Sequence, residues 1–251
     1  MRYKGVPRAG CVAAGVVTLL CGGPTTAGPP LSIDDPGILD PGQVELILAG
    51  AFEDTDAAFT YELPVIDLSY GLTPNVQISA AATRAGIEPD QGDSKSDFGL
   101  GAVGLKWRFW NRDALELSVA PFYETLLRDG AADRGVVDEL DAWTVPVQMQ
   151  YSFSRWRLNA ELGYSAIRNS GDEWSYGVAA STPVRDDLEL MAEVHGGALK
   201  DLDDHGTLYR LGFDWATRET LHVLFSAGSS LHQPGDEDID LQGFLGLQWF
   251  L

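Results

Sequence analysis

Cysteine is nearly missing from this chain: Cys11 and Cys21 are the only two, and both lie in the first 27 residues. That stretch reads as a secretory signal peptide. Arg2, Lys4 and Arg8 make a positive start, Cys11 to Leu20 is an apolar run too short to span a bilayer as a helix, and Thr25-Thr26-Ala27 offers small residues for a cut after Ala27. Leu20 is large where a lipoprotein signal needs a small residue, so Cys21 is not expected to carry lipid. With residues 1–27 removed, disulfides, Cys-ligated zinc and thiol catalysis are excluded. Basic residues are scarce too, 17 against 37 acidic, and losing the signal moves the net charge from −20 to about −23. Nucleic acid, whose phosphates need basic patches, is therefore not an expected partner. No long hydrophobic run follows residue 27, which excludes a transmembrane helix and leaves a secreted chain that is either soluble or a barrel. There is no EF-hand spacing and no His-rich cluster, so neither metal nor cofactor is expected.

What the chain has in abundance is period-2 alternation, from Val44 to the last residue. It predicts strands over 43–53, 60–70, 75–84, 98–110, 114–124, 139–153, 156–166, 174–184, 188–198, 206–216, 220–229 and 239–251. Each is about the ten residues that a tilted strand needs to cross hydrocarbon. The connections alternate in length. Tight links at 71–74, 111–113, 154–155, 185–187 and 217–219 are separated by longer ones at 54–59, 85–97, 125–138, 167–173, 199–205 and 230–238. Short periplasmic turns alternating with longer outside loops is the pattern of outer-membrane barrels. The expected fold is all-β: a transmembrane antiparallel up-and-down barrel of about 12 strands over 43–251, with an extended periplasmic lead at 28–42, in the cell outer membrane. A soluble lipocalin-like barrel would also alternate, but it would not sort its loops by length.

Alternation assigns faces. The residues expected to line or constrict the lumen are Lys106, Arg108, Glu116, Gln148, Gln150, Arg157, Glu161, Glu189, Glu193, Arg210, Asp214 and His222. Arg108 should oppose Glu116, Gln148 should oppose Glu161, Ser152 should oppose Arg157 and Asp214 should oppose His222. This mixture of signs serves equally as a polar constriction that orients a small solute or as a hydrogen-bonded network that fills a narrow interior. Aromatic residues gather near strand ends: Trp143 and Trp174 toward the long loops, and Tyr70, Trp107, Phe109, Tyr151, Trp156, Trp215 and Trp249 toward the tight turns. Two interfacial girdles, where amphipathic rings meet the headgroups of outer-membrane lipid, would have this distribution.

An Asp214–His222 pair with Ser226 on the same face raises a hydrolytic site, since a carboxylate can orient an imidazole for general-base work. A lumen ion pair is the simpler account, and no catalytic residue is assigned. Acidic outer loops, Asp54, Asp90, Asp97 and Asp172 among them, suit either solubility or divalent bridging to lipopolysaccharide phosphates. The lead, with Pro29, Pro30, Pro36 and Pro41, either packs into the lumen mouth as a partial plug or caps the first strand.

The closing run Leu241-Gln242-Gly243-Phe244-Leu245-Gly246-Leu247-Gln248-Trp249-Phe250-Leu251 resembles the terminal strand read by the barrel-insertion machinery, with Leu251 where Phe is usual. The segments 30–37, 41–46, 63–73 and 99–109, including Pro30-Leu31-Ser32-Ile33-Asp34-Asp35-Pro36-Gly37 and Leu63-Pro64-Val65-Ile66-Asp67-Leu68, resemble the outer-membrane family of MetA-pathway phenol-degradation and transporter proteins. The resemblance covers about a third of the chain. It implies a barrel and passive passage of small hydrophobic or aromatic solutes. The expectation is a channel without enzymatic activity, against a structural or surface-interaction barrel and, third, an outer-membrane lipid hydrolase.

Overall fold

The computed structural model describes residues 30–138, 140–200, 205–233 and 238–251. The expected signal peptide lies outside the described residues. Thirteen strand segments follow one another: β1 (Val44–Thr55), β2 (Ala58–Thr73), β3 (Val76–Pro89), β4 (Lys95–Arg112), β5 (Leu115–Val119), β6 (Phe122–Leu126), β7 (Asp141–Phe153), β8 (Trp156–Ile167), β9 (Glu173–Arg185), β10 (Leu188–Leu199), β11 (His205–Arg218), β12 (Leu221–His232) and β13 (Ile239–Phe250). One short helix, α1 (Gly130–Asp133), interrupts them. Each strand pairs antiparallel with its neighbours in sequence, except that β5 and β6 both lie between β4 and β7, and β1 pairs with β13, so the sheet closes on itself. β5 and β6 are two halves of one stave, which makes a barrel of twelve.

The break in that stave was not expected, and two prolines explain it. Ala120 and Pro121 separate the halves, and Pro146 stands opposite in β7. Neither proline has an amide hydrogen to give to a ladder. The wall is held there by Ala120 N donating to Pro146 O at 3.1 Å and Leu105 N donating to Pro121 O at 3.0 Å.

At one end every connection is a two-residue turn, at 74–75, 113–114, 154–155, 186–187 and 219–220. Asp113 and Ser154 take φ of 54° and 55° there, the left-handed backbone that matches the twist of a tight hairpin. The other end carries the longer links, with two corrections: the expected loop at 54–59 is only residues 56–57 and that at 85–97 only residues 90–94, because β1 to β4 run further than the alternation alone marked.

The two faces are opposite in chemistry. Val103, Leu105, Trp107, Val145, Val147, Leu162, Leu211 and Leu245 are exposed on the outside, while among the described residues the buried set holds more polar than apolar side chains. A soluble barrel would show the reverse. Outward charges at the bilayer midplane cost about 2–4 kcal/mol each for Arg or Lys, which accounts for this apolar outer face. No helix among the described residues is long and apolar enough to cross a membrane; the crossing is made by strands.

Candidate functional site: a lumen occupied by the chain itself

Residues 30–39 of the lead are hydrogen-bonded to side chains of the inner wall, the placement that a plug in the lumen would have. The segment runs around the inner wall. Ser226 on β12 donates from Oγ to Pro30 O at 2.6 Å. The amides of Ser32 and Ile33 donate to the Glu193 carboxylate on β10, at 2.8 and 3.1 Å. The Asp34 amide donates to Glu161 Oε2 on β8 at 3.3 Å, and Leu39 N donates to Gln77 Oε1 on β3 at 3.1 Å. Burying peptide groups is costly unless they are hydrogen-bonded, and here inner-face side chains satisfy them in place of a strand ladder. Glycines make room: a Cβ on Gly177 would overlap the Ile33 side chain, and one on Gly71 would come within 2.7 Å of Leu39 O.

At mid-depth the Asp34 carboxylate forms an ion pair with the Lys106 ammonium, both side chains being almost wholly buried. Gln148 Nε2 donates to Asp34 Oδ2 at 3.1 Å and to Glu161 Oε2 at 3.0 Å, and Lys106 also donates to Asp35 O at 2.8 Å. In the lead, burial and then the neighbouring Asp34 carboxylate push the Asp35 carboxyl up to about 6. Beside this group Arg210 donates to Gln242 Oε1 and lies 4.0 Å from Glu193. A cavity of about 20 Å³, room for one water molecule, is lined by Asp34, Lys106, Gln148 and Glu161 and by the apolar Phe122 and Pro146.

The residues expected along the lumen therefore divide into two groups. Lys106, Gln148, Glu161, Glu193 and Arg210 are buried and meet the lead or its anchors. Arg108, Glu116, Gln150, Arg157, Glu189, Asp214 and His222 form pairs near the two-residue turns: Arg108–Glu116 at 2.9 Å, Gln150–Glu116 at 3.4 Å, Arg157–Glu189, and His222–Asp214 at 2.8 Å. Gln148↔Glu161 and Ser152↔Arg157 are the observed registers. Two expected registers need correction. Arg108 stands opposite Ser118, because the turn falls at 113–114 and not at 111–113, and Asp214 stands opposite Leu224 while His222 faces Ala216. The second shift arises because the turn falls at 219–220 and not at 217–219; an irregularity at Thr217, whose hydroxyl donates to Leu221 O at 2.9 Å, takes back one residue of it. Long side chains bridge both offsets diagonally.

This geometry assembles no nucleophile for the Asp214–His222 pair, since the Ser226 hydroxyl is engaged by Pro30. Among the described residues, no three His, Cys, Asp or Glu side chains lie close enough to share a metal ion.

Sequence reasoning missed two features of the interior. One is an apolar patch on the inner face, Ile47, Ala49 and Leu224 with Val65 and Phe244 packed on it. Inner positions were read for their charges, and the apolar residues that alternate between Glu45 and Glu53 in β1 were the available signal. The other is the loop between β6 and β7, which folds inward. Ala131, Val136 and Val137 pack on Ala85 of β3, and Asp97, expected in an acidic outer loop, is buried and pairs with Arg128 at 3.4 Å and with Arg134. In the adjoining outer loops, the Tyr164 hydroxyl and then the Lys200 ammonium hold Asp172 below the usual carboxylate range.

The aromatic residues expected in girdles point outward from the wall. Trp143 meets Tyr123 with ring centres 5.1 Å apart and Trp174 meets Tyr164 at 4.9 Å, at the loop end. Trp107 meets Phe109 at 5.7 Å and Tyr151 meets Phe153 at 6.2 Å, at the turn end. Tyr70, Trp156 and Trp215 are likewise exposed on the outside near the turns, and Trp249 sits one step from the inward Gln248.

No family model matches the chain, and no curated protein does. Solved structures do. The COG4313 outer membrane channel from Pseudomonas putida F1 superposes with a TM-score of 0.63 at 14% identity, over 86% of this chain and 98% of that one. The NanC porin superposes at 0.59 with 7% identity, over 82% and 99%, and the KdgM porin, in complex with disordered oligogalacturonate, at 0.53 with 8% identity, over 81% and 98%. Such identities speak to the fold, and with the inverted faces and the closed wall they place it: the chain is a twelve-stranded β-barrel of the outer membrane.

Proposed function

We propose that the protein is a channel for passive passage of small solutes across the outer membrane, closed in this state by its own residues 30–39. The observation that carries this reading is how the plug is attached. The amides of Ser32, Ile33, Asp34 and Leu39 are bound by the side chains of Glu193, Glu161 and Gln77 rather than by strand backbone. The plug's release would therefore leave every barrel ladder intact. An apolar patch at Ile47, Val65, Leu224 and Phe244 and a charged group at Lys106 and Glu161 share one interior. That combination suits small, partly hydrophobic solutes, in line with the resemblance to the phenol-degradation family. The superposed structures named as a channel and porins support the same reading, and the outward rings at both ends suit interfacial girdles.

A cavity of only about 20 Å³ beside the plug favours a second reading, a structural barrel with a filled lumen. Single-channel conductance in planar bilayers separates the two. The channel reading expects rare openings in the wild type and more in Glu193→Gln with Glu161→Gln, which weakens the charge-assisted bonds to the plug. No openings in either protein, under any voltage or salt, would establish the filled barrel instead.

A further inference from the structure

The plug residue Asp34 is bound in the way a small free solute would be. Its carboxylate lies on the Lys106 ammonium and the Gln148 amide, while its own N–H donates to the Glu161 carboxylate. Lys106, Gln148 and Glu161 come from three different staves, β4, β7 and β8, and all three are buried. The wall thus offers a cationic and hydrogen-donating end beside an anionic end. Gln148 ties the two together by donating to both carboxylates. The small cavity adjoins this group, and its apolar lining includes Phe122 and Pro146.

We propose that this group is a binding site for small amino-acid-like zwitterions, and that Asp34 of the plug occupies it as an internal competitor. The solute's carboxylate takes the place of the Asp34 carboxylate on Lys106 and Gln148. Its ammonium takes the place of the Asp34 N–H on Glu161, with the full charge that the peptide N–H lacks. Its side chain points to Phe122 and Pro146. Charge-assisted bonds are stronger than those to a neutral amide, so a zwitterion has more to offer Glu161 than the plug does. A neutral molecule of the same size offers neither buried charge a charge-assisted partner, and weaker binding of such a molecule is the usual consequence. The inference rests on the channel reading only for the solute's route to this depth; the site itself does not require passage.

Two measurements on the full-length protein test the proposal. Binding of alanine, read by saturation-transfer NMR on the protein in detergent, reports the site. Liposome swelling in alanine against lactamide, a neutral molecule of the same shape, reports passage. Alanine should bind and lactamide should not. Glu161→Gln should abolish binding, and Asp34→Asn, which removes the competing carboxylate, should strengthen it severalfold, a gain no purely structural role for Asp34 would produce. Heat-modifiable gel mobility verifies that each variant is a folded barrel. Equal signals for alanine and lactamide, or binding unchanged in Glu161→Gln and weakened in Asp34→Asn, overturn the site. Alanine binding with no swelling in either solute upholds the site and rejects the channel; swelling without preference and without binding does the opposite.

Discussion

The Asp34 carboxylate and the Lys106 ammonium form an ion pair with both side chains about 95% buried, one contributed by the plug and the other by the wall. Removing one partner of a buried pair ordinarily costs about 3–5 kcal/mol, because the other charge is left without compensation. Asp34 has a way out that a wall residue lacks: the plug can leave the lumen. Lys106→Met should therefore free the plug while costing the barrel itself little. A thiol placed at Ile33, in a chain expressed from residue 28, gives the readout. Its alkylation should be slow while Lys106 is present and fast in the Lys106→Met variant, at unchanged heat stability of the barrel; equal rates would mean that the pair does not hold the plug.

Gly177 tests the plug by shape rather than by charge. A Cβ there would overlap Ile33 and come within 3.0 Å of the His195 Cβ, so neither neighbour has space to yield without displacing the plug. Gly177→Val should raise open probability in planar bilayers. Gly197→Ala is the control, because its Cβ would meet nothing nearer than Trp174 O at 3.5 Å. Identical currents from both variants would show that residues 30–39 do not limit passage.

The barrel was legible because its information is local. Alternation and two-residue turns are written in adjacent residues, and a tilted strand demands both. The plug was legible only as one of two readings of the lead and its attachment not at all, because Ser32 meets Glu193 across 161 residues of chain and no short pattern marks either as the other's partner. The Asp214–His222 contact is expected in the wrong register, since the turn falls at 219–220 and not at 217–219 while the side chains still reach. The inward loop was misread for a related reason. Asp97 counts as an acidic loop residue in sequence, and Arg128 and Arg134, from the far side of β5 and β6, join the Phe98 amide in making its burial tolerable.

Acidity should close the channel through Asp35. Its carboxyl sits in the lead, outside the spanning strands, and docking raises it from 3.8 to about 6; Asp34 adds to the effect of burial, while Lys106, the Gly37 amide and Arg157 oppose it. A raised carboxyl binds its proton more tightly in the docked state. The contribution to docking is therefore complete below about 4, is lost as pH rises to about 6, and does not change further above that. Open probability should rise across this window and then level off. Asp35→Asn should remove that part of the pH dependence; a wild-type profile retained in Asp35→Asn would assign it to other groups.

The inward loop makes a separate claim about the outer mouth. Asp97 is buried, whereas the Arg128 and Arg134 side chains that meet it are half-exposed or more, so solvent screens the pairs and Asp97→Asn should cost about 1 kcal/mol rather than the full value of a buried pair. Lys95 would still donate to Arg134 O at 2.9 Å and keep the loop near its place. A loss of that size is about fivefold in the local opening equilibrium. The amides of Ala131, Gly135 and Val136, which donate within the loop, should exchange about fivefold faster in Asp97→Asn, with the amides of β7 and β8 unchanged. Acceleration spread over the whole barrel would mean that Asp97 supports the wall and not the loop. No acceleration at all would leave the packing of Ala131, Val136 and Val137 on Ala85 as what holds the loop inward.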